Sequence, residues 1–286
     1  MPLGLVRTDL NKTGTSFRKG NPVTLPKNFG NPVTWTPASS HFGNPVPASD
    51  ATFDSNPVTW APSPAHFGNT IGPQSPPATF AVQGAADVVE GTASSLAITL
   101  PAPAVAHDSL YVSVEVDPSG LIAPTSVVDD LGVNVYSLVS GPDTNGLFVR
   151  MWLYKCENIV GTPQIVTVTF SDFTSGAVIV ADVSRSVGSP ALNHLAFGIT
   201  DGSTPDWTGP AVVASDNNLL LAFAGTSQGI PQASPGAGWT LIDQTNSAGN
   251  NWTFGEYRTA DAGTYTPVIA AVGMGQAGAM YSVSLK

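Results

Sequence analysis

From Phe80 onward, apolar and polar residues alternate with a period of two. Leu110, Val112, Val114 and Val116 interleave with Tyr111, Ser113, Glu115 and Asp117. A strand points successive side chains to opposite faces, so this register predicts a half-buried strand. Leu147, Val149, Met151 and Leu153 alternate with Phe148, Arg150, Trp152 and Tyr154, and Val166, Val168 and Phe170 alternate with Ile165, Thr167 and Thr169. Short apolar runs bounded by Gly, Pro, Asn and Asp predict further strands at 94–100, 133–139, 176–184, 211–215, 218–225, 238–244, 252–259, 264–272 and 278–285. No window of helical length carries a 3.6-residue period. The expected fold is therefore all-β, with a C-terminal β-sandwich or jelly-roll domain over residues 80–286.

Two of these runs lack a polar face. Asn218-Leu219-Leu220-Leu221-Ala222-Phe223-Ala224 and Gly176-Ala177-Val178-Ile179-Val180-Ala181 are apolar on both sides. Such strands are covered by a further layer or used in a subunit interface. The set Phe148, Arg150, Trp152 and Tyr154 has the composition of an interface, aromatics around one arginine, and is expected to line contacts in a homo-oligomer. Ordinary packing beneath a loop accounts for it equally.

The pattern before Phe80 is different. Asn31-Pro32-Val33-Thr34-Trp35 leads to His41-Phe42-Gly43-Asn44, and Asn56-Pro57-Val58-Thr59-Trp60 leads to His66-Phe67-Gly68-Asn69. Shorter copies start at Asn21 and Asn44, the first ending at Phe29-Gly30. Proline removes a backbone donor and pushes the residue before it out of helical conformation. Residues 1–79 are thus expected to form an extended Pro/Gly/Asn-rich N-terminal arm with short repeats. A linker duplicated by drift explains the copies, but large aromatics are costly to leave in water. The sharper reading is a strap that docks Trp35, Trp60, Phe29, Phe42 and Phe67, framed by Pro32 and Pro57, into equivalent pockets on a repeated partner. His41 and His66 each stand alone within a unit, so no metal is expected there.

Charge divides along the same boundary. Residues 1–30 hold Arg7, Lys12, Arg18, Lys19 and Lys27 against Asp9, for +4, whereas residues 80–286 hold five bases and seventeen acids, for −12, within a chain total of −10. A body this acidic repels nucleic-acid phosphates, and the basic head, which offers its charges to an acidic partner or a nucleic acid, is sparse, so no nucleic-acid partner is expected. No run approaches a membrane span or a secretory signal, and neither membrane contact nor export is expected. The single Cys156 excludes an internal disulfide framework.

Candidate chemistry is sparse. No nucleophile elbow, His-Glu-x-x-His or phosphate-binding loop occurs. Glu115 and Asp117 share one face of a strand, as paired carboxylates of sandwich glycosidases do, yet a solvated strand end explains them more simply. Asp129-Asp130 reads as a turn. Asp201-Gly202-Ser203-Thr204-Pro205-Asp206 suits a calcium loop, but an Asx turn uses the same residues. Cys156 reads as a buried, inert thiol. No enzyme activity and no cofactor are expected.

The runs Asp130-Leu131-Gly132-Val133-Asn134-Val135-Tyr136-Ser137-Leu138-Val139, Trp152-Leu153-Tyr154-Lys155-Cys156-Glu157-Asn158-Ile159-Val160-Gly161, Val166-Thr167-Val168-Thr169-Phe170 and Gly238-Trp239-Thr240-Leu241-Ile242-Asp243-Gln244 together resemble a β-sandwich domain of tailed-phage virion proteins and some bacterial surface proteins. The resemblance covers about 100–285. An extended arm before such a domain is similar in layout to capsid decoration proteins and head or collar fibres. It implies a virion structural protein that is trimeric, assembles in the host cytoplasm and binds the major capsid protein or another repeated virion protein. The alternative is a glycan- or host-surface-binding module with exposed Trp207, Trp239 or Trp252 as sugar platforms.

Overall fold

A computed structural model describes residues 78–286, apart from 119–121, 145–148, 229–232, 247–250 and 271–275. The arm residues Phe29, Pro32, Trp35, Phe42, Pro57, Trp60 and Phe67 lie outside the described residues, as does Phe148. Pro77–Lys286 forms one compact unit. All of its described regular elements are β-strands.

The first half of this unit contains β1 (Phe80–Thr99), β2 (Ser109–Val116), β3 (Pro124–Asp129), β4 (Ser137–Thr144), β5 (Arg150–Glu157) and β6 (Ile165–Arg185). They form an antiparallel sheet in the order β1-β6-β2-β5-β4, with β3 also paired to β6. The second half contains β7 (Leu192–Thr200), β8 (Trp207–Thr208), β9 (Val212–Ala214), β10 (Asn218–Thr226), β11 (Thr240–Asn246), β12 (Trp252–Ala260), β13 (Gly263–Tyr265), β14 (Val268–Ile269) and β15 (Gly278–Leu285). Its main sheet runs β11-β12-β10-β15-β7, and β9 pairs with β13 and β8 with β14. Each main sheet is drawn from one half of the chain, whereas a jelly roll passes strands between its two sheets.

The two halves repeat one topology. In strand order, β1, β6, β2, β5 and β4 correspond to β7, β15, β10, β12 and β11. The ribbons β8–β14 and β9–β13, with the bridge Ser234–Ala270, occupy the place of β3 and the distal parts of β1 and β6. Details coincide as well. His107 and Asn217, just before β2 and β10, both have positive φ, at 78° and 61°. In β4 the register shifts between Leu138 opposite Tyr154 and Ser140 opposite Leu153; in β11 it shifts between Leu241 opposite Glu256 and Asp243 opposite Gly255. A Cβ on Gly176 would lie 2.5 Å from the Glu115 carbonyl oxygen, and one on Gly278 would lie 2.5 Å from that of Gly225. The expected single sandwich is a tandem pair.

Three apolar cores hold the layers. In the first half, Leu110, Val112, Val114, Val178 and Val180 pack against Ile98, Val166, Val168 and Phe170. In the second half, Leu220, Ala222, Ala224, Trp252 and Phe254 pack against Trp207, Val212, Trp239 and Ile269. Between the halves, Tyr111, Met151, Leu153, Ile179 and Val183 meet Leu219, Leu221, Phe223, Tyr281 and Val283. Both main sheets are therefore covered on both faces. All positions of β2, β10 and β15 are buried. The two-sided apolar strands are thus covered within one chain, which removes the reason for assigning them to a subunit interface.

The expected strands at 165–170 and 176–184 are one bent strand, β6, whose first part pairs with β3 and the end of β1 and whose second part pairs with the start of β1 and with β2. The run expected at 133–139 becomes a strand only from Ser137. Asp129 explains the delay: it accepts hydrogen bonds from the amides of Leu131 (3.1 Å) and Gly132 (3.0 Å), from Asn134 Nδ2 (2.7 Å) and from the Tyr136 hydroxyl (3.3 Å), and so ties 130–136 into a turn.

Because the middle core is shared, the fragment 78–286 is expected to melt in one cooperative transition followed by circular dichroism. A fragment ending after β6, at residue 188, exposes Tyr111, Met151, Leu153 and Ile179. It is expected to self-associate, its second copy replacing the missing half. A well-folded monomer of that fragment in sedimentation would show that the halves do not depend on each other.

Candidate functional site

The described contact residues expected from the sequence, Arg150, Trp152 and Tyr154, alternate along β5 on the face turned to the first-half core. Trp152 is buried against Val112 and Val178 in the first-half core, with 4% of its surface exposed. Tyr154 is partly buried against the same core, and Arg150 is half-buried at the start of β5. These three do not form an outer apolar face. Exposed apolar side chains occur instead at Leu131, Val133, Val135 and Val160. Their loops are joined by Asn134, which donates to the Val160 carbonyl (3.2 Å) and accepts from the Val160 amide (2.8 Å).

The proposed sugar platforms are not on the surface. Trp207 and Trp252 have no exposed area and Trp239 has 8%. Trp207 meets Trp252 edge-on at 5.5 Å between ring centroids, and Trp252 stacks on Phe254 at 5.6 Å. A sugar stacks on an open ring face, and these faces are covered by protein.

Glu115 does not sit at a solvated strand end. It lies on the inward face of β2 between the two halves, 1% exposed, and neither carboxyl oxygen has a hydrogen-bond partner. A Cβ on Gly225, its counterpart in β10, would lie 2.9 Å from Glu115 Cγ and 3.1 Å from Oε2. Glycine at 225 is what makes room for the carboxyl group. Burial, and secondarily the charge of Asp117, push the Glu115 pKa well above the ordinary range. Burial thus favours the neutral form of the group and closes it off from water and from any dissolved substrate. Glu256 is similar: it is fully buried, accepts from the Gly236 amide at 3.0 Å, and burial raises its pKa to about 7.

Other candidates resolve into structural roles. Asp130 accepts from the amides of Gln164 (3.1 Å) and Ile165 (3.4 Å), tying the turn of Asp129 to the start of β6. Asp201 accepts from the Ser203 amide at 2.9 Å, an Asx turn. Among the described residues no group of three His, Cys, Asp or Glu side chains is placed to hold a metal ion. Cys156 is buried in the first-half core, and burial raises its thiol pKa. Sequence reasoning missed one cluster, Asp108 with Asp182 and Gln83. Its members lie far apart in the chain, and no local spacing announces them.

Raised carboxyl pKa values carry a stability signature. The folded state binds protons more tightly than the unfolded chain, so the associated stability is full below the unfolded value and disappears as pH rises through the folded one. Moving Glu256 from about 4.5 to about 7 corresponds to about 3 kcal/mol. The thermal midpoint is expected to fall by several degrees as pH rises from about 5 to about 8. Glu256→Gln and Glu115→Gln should each flatten that dependence. A midpoint that rises with pH over this window would contradict the assignment.

No family model, no curated protein and no solved structure matches this chain.

Proposed function

We propose that this protein is a non-enzymatic structural component of a virion, of the capsid-decoration or head-fibre type, in which the arm grips a repetitive protein shell and the tandem sandwich is displayed. The observation that carries this reading is the repetition of Asn-Pro-Val-Thr-Trp and His-Phe-Gly-Asn at 31–44 and 56–69. A repeated ligand matches a repeated receptor, and a shell of identical subunits presents one. The folded domain supports the same division of labour. Its two-sided apolar strands are consumed by its own layers, so strong apolar anchoring falls to the aromatics of the arm. The partner in this reading is the major capsid protein or another repeated virion protein, met during assembly in the host cytoplasm; the trimer in this reading follows from the resemblance in layout alone, since the apolar strands are covered within one chain.

The glycan-binding alternative loses its specific support, since Trp207, Trp239 and Trp252 are buried.

Two tryptophans on one chain act through effective concentration: the first to dock raises the local concentration of the second. Truncating one deeply docked ring costs about 2–4 kcal/mol. Trp35→Ala or Trp60→Ala alone is expected to lower occupancy on purified particles modestly, because the remaining anchors hold the arm near its sites. The double variant is expected to detach most of the protein. Full occupancy by the double variant would refute the strap and leave the repeats as a linker. Sedimentation of the full chain tests the trimer, and a monomer at micromolar concentration would remove it.

A further inference from the structure

Asp108 and Asp182 face each other where the β1–β2 loop returns to the sheet. They are 6% and 4% exposed. Asp182 Oδ2 accepts from Gln83 Nε2 at 2.7 Å, and Asp108 Oδ2 accepts from the Val105 amide at 2.8 Å. Gln83 also donates to the Ala102 carbonyl and accepts from the Ala102 amide, each at 3.1 Å. The cluster therefore pins loop residues 102–108 to β1, β2 and β6. One atom is left over: Asp182 Oδ1 is buried and has no donor to accept from. Two carboxylates cannot bond to each other unless one carries a proton. A proton on Asp182 Oδ1, donated to Asp108, satisfies both groups.

The repeated topology supplies a comparison inside the same chain. Asp108 lies two residues before Leu110, which is opposite Asp182; Asn218 lies two residues before Leu220, which is opposite Ser284. Asn218 and Ser284 are thus the second-half counterparts of Asp108 and Asp182. There, Asn218 Nδ2 donates to Ser284 Oγ at 2.5 Å, and Asn218 Oδ1 accepts from the Ser215 hydroxyl at 2.8 Å. The same junction is closed in one half by groups that do not titrate and in the other by two acids.

We infer that Asp108 and Asp182 form a proton-dependent latch that holds the 100–108 loop closed in the first half, while the Asn218–Ser284 junction of the second half stays closed at any ordinary pH. Protonated, the pair carries one charge and a hydrogen bond. Deprotonated, it places two negative charges side by side out of water, and opening the loop relieves the repulsion. Burial, and then the Asp108 charge and hydrogen bond, raise the Asp182 pKa to about 6, opposed by the Gln83 bond; burial also raises that of Asp108. Among the surrounding groups, the charge of His107 lowers the Asp108 pKa, which leaves Asp182 as the member that keeps the proton. The cross-strand row is Cys156–Leu110–Asp182–Gln83, with a buried thiol at its far end. His107 flanks Asp108, and its ring Nδ1–H donates to Asn158 Oδ1, 2.7 Å away. Arg185 lies against the Phe80 ring instead. Latch stability is full when Asp182 is protonated and is lost as pH rises through about 6.

Amide hydrogen exchange on the full-length chain tests this, with protection factors corrected for the intrinsic pH dependence of exchange. Protection at Ala102 and Val105 should hold below about pH 6 and then fall by up to about tenfold per pH unit, the slope for loss of one proton. The Gly209 amide, bonded to the Pro267 carbonyl in the second half, should stay level as the Ala104 amide bonded to Pro163 is loosened. Asp182→Asn keeps a donor toward Asp108 and should make Ala102 and Val105 protection independent of pH. The double variant Asp108→Asn with Asp182→Ser, which copies the second-half pair, should do the same. Wild-type protection that is constant from about pH 5 to pH 8, or an Asp182→Asn variant that still loses protection, would overturn the latch. Carbon-13 titration of the Asp182 carboxyl in the unaltered chain is a second arm. A midpoint near the ordinary aspartate value, about 4, would overturn it without any substitution.

Discussion

The middle core, where Tyr111, Met151, Leu153 and Ile179 of one half meet Leu219, Leu221, Phe223 and Tyr281 of the other, is the contact on which the rest of the domain depends. A sandwich with one wet face alternates apolar and polar residues; strands such as β10 need not, because each main sheet has a core on either side. The second face of each sheet is what makes β2, β10 and β15 buried at all their positions. Removing either half would expose a continuous apolar surface of the kind that drives association. Burial at the same contact sets the chemistry of Glu115. Its carboxyl group is placed where its counterpart, Gly225, has no side chain, and burial there raises its pKa and favours the neutral form.

The two halves share a strand order but are not identical. Asp108 and Asp182 stand where Asn218 and Ser284 stand, and Tyr136 stands where Trp239 stands ahead of the matching register shift. The first half closes its distal layer with long extensions of β1 and β6, the second with the short ribbons β8–β14 and β9–β13. Acidic groups with raised pKa values occur in both halves, at Asp108, Glu115 and Asp182 in one and at Glu256 in the other. All favour the folded state at lower pH. The −12 charge of residues 80–286 adds to this, since protonation also relieves repulsion across the surface.

The proposed virion role rests on the arm, and the domain bears on it through what it does not leave open. Its tryptophans are inside and its two-sided strands are covered; of the apolar groups it exposes, Val133 and Val135 stand on a loop held by Asp129 and Asn134, while Ile199 and Val213 stand singly on β7 and β9.

Period-two alternation, together with short apolar runs bounded by turn residues, was enough to read the all-β class and the positions of β2, β5, β9, β10, β12 and β15 from the sequence, because each has a local apolar signal within one segment. Trp152 was legible as an apolar residue in a strand but not as a core residue, since alternation marks two faces without saying which is wet. The start of β1, β3 and β7 escaped because their faces are only partly buried and their polar residues interrupt the alternation. The tandem repeat was present as Tyr136-Ser137-Leu138-Val139 against Trp239-Thr240-Leu241-Ile242; its meaning emerges from strand order and register, which local composition does not encode. Glu115 and the Asp108–Asp182 pair were decided by tertiary structure alone. A carboxyl group's behaviour is fixed by what surrounds it in space, and its neighbours here come from strands up to about a hundred residues away, at separations no sequence period spans.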